Sequence, residues 1–207
     1  MKEDILEQLV DDYLQSQGYF TRHNIKFWPR EDHVDFNRQA DCVPSDIDVL
    51  GFNPKARGRD KVIAVSCKSW QYGFDCGYWI GQLTDDKNNP KRPAWKKFRE
   101  IVRPKWSQGF LDAVQKITGT RKLTYMTAVT RVRDDPKNWE RHLPFQQVLE
   151  GNQVKLLTLT DILNKLNANS STTPASSAIG RILQLMRAAK QGGPALSAAL
   201  ADEEENE

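Results

Sequence analysis

Pro44-Ser45-Asp46-Ile47-Asp48-Val49-Leu50-Gly51-Phe52 and, past a turn-forming segment (53–60) that contains Asn53-Pro54 and Gly58, Lys61-Val62-Ile63-Ala64-Val65-Ser66-Cys67-Lys68 carry most of what this sequence says about itself. Ile47 to Phe52 is a short apolar strand, and Lys61 to Lys68 is a β-branched, nearly continuous one of the buried kind. The link between them has turn chemistry, so the two read as a hairpin. Side chains alternate across a strand. Asp46 and Asp48 therefore share one face, and so do Ser66 and Lys68.

Outward from the hairpin, Ile5, Leu6, Leu9, Val10, Tyr13 and Leu14 recur at helical spacing, which predicts an amphipathic helix over 3–17 stopped by Gly18. Residues 19–27 read as a strand, and a polar, turn-rich stretch runs from Trp28 to Ser45. Downstream, residues 91–118 read as helical with breaks at Pro93 and Pro104. Strands are expected over Lys122–Val132 and Val154–Leu159, then a short helix from Thr160 to Leu166 with Thr160 as its N-cap. Helix, β-meander, helices and returning strands make an α/β sandwich, a mixed central sheet flanked by helices. The domain is expected to span 1–167, followed by a Ser/Thr/Asn-rich linker (168–177), a C-terminal helix (178–191) and an acidic tail (192–207).

With 207 residues, 39% of them hydrophobic, the chain can bury a core without disulfides. The three cysteines, Cys42, Cys67 and Cys76, include no Cys-x-x-Cys, and the three histidines are scattered, which argues against a structural zinc site. A mean hydropathy of −0.65 and an acidic, amphipathic N-terminus predict a cytoplasmic protein without a membrane segment. The net charge of +3 is small, but it is unevenly spread. Lys87, Lys91, Arg92, Lys96, Lys97, Arg99, Arg103 and Lys105 are crowded against a single acid, Glu100, while five acids fill the last six residues. The basic run, with Trp95 and Trp106 interleaved, predicts contact with a polyanion through phosphates and stacking; the rival reading is a solvated face whose aromatics are core.

The hairpin supplies the chemistry. If its strands pair, two carboxylates, a hydroxyl and an ammonium converge at one sheet edge. Such hard oxygen ligands suit Mg²⁺ or Mn²⁺ with waters left in the shell, and a lysine beside the metal can orient water and neutralise charge on a phosphate. Phosphodiester hydrolysis needs these parts together. Cys67 falls on the opposite face from Ser66 and Lys68 and reads as a small buried residue, not a nucleophile.

In these residues the chain resembles the PD-(D/E)XK nuclease superfamily. Pro44 to Leu50 is similar to the opening of that family's second core strand, with Asp48 in the place of the metal-binding aspartate, and Val65 to Lys68 is similar to the (D/E)-x-K end of the third. Glu7, Tyr13-Leu14 and Gly18-Tyr19 resemble the first helix of Holliday-junction-resolvase-like members. The resemblance covers roughly residues 3–166 and implies an αβββαβ, restriction-endonuclease-like core, a Mg²⁺ or Mn²⁺ cofactor, DNA as partner, and DNA cleavage in defence or repair. One position departs from the pattern: Ser66 stands where the family usually has Asp or Glu. The resemblance implies that the missing acid comes from elsewhere, from Asp75, Glu7 or Asp46, with Glu7 and Asp46 favoured because the fold brings their elements to the site. Otherwise metal binding is lost and the domain only binds nucleic acid, or serves as a subunit of a larger complex. On this reading Asp48, Asp46 and Glu7 hold metal, Lys68 and Ser66 act beside it, and Lys91, Arg92, Lys96, Lys97, Arg99, Trp70 and Gln71 meet nucleic acid. Gln71 and Gln82 both suit the glutamine often found after the third strand. The apolar stripe of Ile179, Ile182, Leu183, Leu185 and Met186 predicts core packing, a homodimer contact or a protein partner for the C-terminal helix.

Overall fold

Asp4 opens α1 (Ile5–Gln15) by accepting a hydrogen bond from the Leu6 amide at 2.8 Å, which satisfies one of the donors a helix start leaves free. Leu6, Leu9, Val10 and Leu14 form its buried stripe. Gly18 ends the turn at φ +83°, a conformation that glycine adopts without strain. This computed structural model describes residues 4–84, 93–169 and 177–189.

An antiparallel meander follows, made of β1 (Phe20–Phe27), β2 (Ser45–Phe52) and β3 (Val62–Lys68). The hairpin expected from the sequence is present, with Phe52 opposite Val62 and Val49 opposite Val65. The chain then passes through α2 (Cys76–Thr84), α3 (Arg99–Val102) and α4 (Pro104–Thr118) to β4 (Thr124–Val129). It continues through α5 (Pro136–Glu140) and α6 (Leu143–Val148) to β5 (Gln153–Thr158) and α7 (Leu159–Asn169), and a last helix, α8, spans residues 178–189. β3, β4 and β5 are parallel, so the five-stranded sheet is mixed, in the order β1-β2-β3-β4-β5. Parallel neighbours require a crossover, and the helices between β3 and β4 provide it. This is the α/β class expected from the sequence.

The larger core lies under α3 and α4, where Phe98, Ile101, Trp106, Phe110 and Val114 are buried with Ile25, Phe27, Ala64 and Tyr125 from the sheet. Phe27 meets Trp106 and Phe110 edge-on, with ring centroids 6.1 and 5.6 Å apart. Gly109 is what allows α4 to sit this close: a Cβ there would lie 1.8 Å from the Trp28 carbonyl oxygen. The loop between β1 and β2 is fastened to the same helix. Lys105 reaches the buried Asp41 at 2.7 Å and the Asp35 carbonyl at 2.9 Å, and its own carbonyl accepts from the Arg30 amide. These ties deliver the chain to Pro44 at the start of β2.

Several local expectations change, but the break expected at Pro104 is present: α3 ends at Val102 and Pro104 begins α4, where its missing N–H is harmless at the first helical position. The stretch before it is a 3-10 turn (Ala94–Lys97) and the short α3, not one helix. β4 stops at Val129 because the following residues pair elsewhere: Phe74 exchanges backbone hydrogen bonds with Arg131 and Arg133. Thr158, not Thr160, caps α7. Its hydroxyl accepts from the Asp161 amide while the Asp161 carboxylate accepts from Thr158, a reciprocal capping box.

The chain divides into two compact units, residues 1–162 and 163–207. In the second, the Arg187 guanidinium donates to the Asn167 carbonyl, and Ile182, Leu185 and Met186 are exposed on α8. Residues 170–176 of the expected linker and the acidic tail lie outside the described residues. Among the described residues no helix is long and apolar enough to cross a membrane.

Candidate active site

The β2–β3 register runs as far as Val49 opposite Val65. Just beyond it the Cys67 amide donates to Asp48 Oδ2 at 2.6 Å, so a side-chain carboxylate occupies the gap where the strands part. On the other side of β2, Asn24 lies across from Asp48 and takes φ +52°, a left-handed conformation that asparagine tolerates better than most residues. β1 changes face there. His23 reaches Asp11 of α1 at 3.1 Å, while Phe27, on the same face in a regular strand, packs on α4. Asp48 is thus held where the sheet is locally irregular on both sides.

A cleft of about 320 Å³ opens at this point. The strands contribute Asp46, Asp48, Ser66 and Lys68, as the alternation predicts. Its other wall comes from the 3-10 turn and α3, which contribute Lys96, Lys97, Arg99 and Glu100, and Trp70 lies at the rim. Glu100 is the functional candidate that sequence reasoning missed. It is a buried carboxylate on the face of α3 turned inward by Phe98 and Ile101, and it accepts a 2.5 Å hydrogen bond from the fully buried Tyr125 hydroxyl. The one available signal was its isolation: a single acid in the midst of a basic run.

Charge is densely packed. Burial pushes the Asp48 carboxyl up to about 6; Lys68 and the Cys67 amide act against this, and Glu100 and Asp46 add to it. Glu7 on α1 is raised to about 7 by burial, then by Asp48 and Asp4. It therefore shares the field of the site but does not line the cleft. Asp46 is paired with Lys26 of β1 at 2.6 Å. Lys68 donates to Ser66 Oγ at 2.8 Å. Asp75, the third acid considered, caps α2 by accepting from the Tyr78 amide. Burial likewise pushes the Cys67 thiol well up, which fits its expected inertness.

A divalent cation fits this arrangement. Mg²⁺ keeps several waters and needs only one or two carboxylates, and Asp48 and Glu100 meet that requirement with Asp46 nearby. Burial and the neighbouring Glu100 oppose ionisation of Asp48, and a cation relieves this. Among the described residues no group of three or more His, Cys, Asp or Glu side chains is placed to hold a metal ion.

The residues expected to meet nucleic acid separate into groups. Lys96, Lys97, Arg99 and Trp70 converge on the cleft, while Gln71 is exposed and does not line it. Lys87, Lys91 and Arg92 lie outside the described residues. The Lys97 ammonium sits 4.9 and 4.8 Å from the Trp70 and Trp79 ring centroids, and Arg99 lies 4.6 Å over Trp106. Trp106 itself is core, not a stacking platform, because α4 turns it onto Phe27. No family model, curated protein or solved structure matches the chain.

Proposed function

We propose that this protein is a Mg²⁺- or Mn²⁺-dependent DNA endonuclease of the PD-(D/E)XK type, working in defence or repair, whose third-strand acid is replaced by Glu100. One observation carries the reading: Asp48, Lys68 and Glu100, from three separate segments, line a single cleft whose remaining wall is cationic. When bound, the metal supplies Lewis-acid polarisation of a phosphate and a lowered pKa for an attacking water. Asp48 and Glu100 would hold it. Lys68, anchored by Ser66, would neutralise charge developing on the phosphate. Lys96, Lys97 and Arg99 would hold flanking phosphates, which positions the strand without reading its bases. Ser66 motivates a second reading, a nuclease-fold module that binds DNA without cutting it or serves as a subunit of a larger complex through the exposed residues of α8. Mn²⁺ calorimetry beside a DNA mobility-shift assay separates the two. Metal uptake lost in Asp48→Ala and weakened in Glu100→Gln supports the enzyme, whereas DNA binding without metal uptake supports the module.

A further inference from the structure

Two hydrogen bonds hold the polar side chains at the cleft. Lys68 Nζ donates to Ser66 Oγ at 2.8 Å, and Tyr125 Oη donates to Glu100 Oε1 at 2.5 Å. Ser66 and Tyr125 stand on neighbouring parallel strands, β3 and β4. The proton assignments follow from the partners. A carboxylate only accepts, so Tyr125 commits its one proton to Glu100; an ammonium only donates, so Ser66 accepts from Lys68. Ser66 and Tyr125 are both buried, so water does not compete for these bonds.

We infer that Tyr125 is a positioning residue for the site. It aims the Glu100 carboxylate into the cleft that Lys68 also lines. An Asp or Glu at position 66 would need the same space and would face Glu100 as a second buried anion. A serine there leaves room for one carboxylate to be delivered from α3 and held by the Tyr125 hydroxyl. The inference rests on the proposed metal-dependent reading and concerns how its site is held, a role the sequence did not reveal.

The test is Tyr125→Phe in the full-length protein, alone and combined with Glu100→Gln. Mn²⁺ affinity is measured by calorimetry without DNA, and steady-state cleavage of a linear duplex is measured with it. Partners that orient metal ligands typically carry a 10–100-fold effect. Tyr125→Phe should therefore weaken Mn²⁺ binding by roughly 10-fold and lower kcat, while KM for DNA stays within about twofold because the phosphate contacts lie elsewhere. In the Glu100→Gln background the same substitution should change Mn²⁺ affinity no further. A purely structural tyrosine would cost the same in both backgrounds, and that outcome overturns the inference. So does a folded Tyr125→Phe protein with wild-type Mn²⁺ affinity. Wild-type protein that takes up no Mn²⁺ overturns the functional reading itself, a result distinct from either of these.

Discussion

Replacing Asp48 by asparagine should make the protein more stable at neutral and alkaline pH. The carboxyl normally ionises near 3.8 and in the folded chain near 6, with burial the largest cause. The folded state therefore holds this proton more tightly than the unfolded state does. Below about pH 3 both states are protonated and the group contributes nothing to the difference. As pH rises from about 3 to about 6 the unfolded chain ionises first, and the folded state loses stability. Above about 6 the full penalty applies, at most about 3 kcal/mol at ~1.4 kcal/mol per tenfold change, and about 2 kcal/mol allowing for water in the cleft. Asparagine keeps the size and an oxygen for the Cys67 amide while removing the charge. Urea unfolding of both proteins should give equal midpoints near about pH 3 and a variant about 2 kcal/mol more stable near about pH 8, about 4–8 °C in Tm for a chain of this size. A variant less stable than wild type near pH 8, or a gap that ignores pH, would refute the claim that Asp48 is held at a cost.

Gly109→Ala should destabilise by about 3 kcal/mol or more, since the new Cβ would meet the Trp28 backbone oxygen at 1.8 Å and one of two main chains must move; thermal unfolding checks this. Asp134→Ala removes the acceptor for the Cys76 and Gly77 amides at the start of α2, at 2.7 and 2.8 Å, and should cost about 1–2 kcal/mol by chemical denaturation. Neutralising Lys96, Lys97 and Arg99 should reduce the log–log salt slope of duplex binding by about 0.9 per lost phosphate contact. An unchanged slope would make these cations partners of Trp95, Trp70, Trp79 and Trp106 alone.

The part of the site built on β2 and β3 was legible because it is local. Period-two alternation places Asp46 with Asp48 and Ser66 with Lys68, and one hairpin brings the pairs together. Glu100 was not legible. Its direction depends on Phe98 and Ile101 entering the core, and that depends on Pro104 starting α4 and Gly109 admitting Trp28, contacts far apart in sequence. The same packing turned Trp106 from a stacking candidate into core. The left-handed Asn24 lay in a stretch that reads as an ordinary strand, since asparagine alone does not signal a change of face.

The central claim is that Asp48, Glu100 and Lys68 form a metal-dependent phosphodiesterase site. Incubation of purified protein with supercoiled plasmid and linear duplex in Mg²⁺ or Mn²⁺, beside Asp48→Ala and Lys68→Ala, tests it most directly. Cleavage that requires the metal, stops on chelation and is lost in both variants is the predicted result. Cleavage that survives either substitution, or wild-type protein that leaves every DNA intact in both metals, would contradict it.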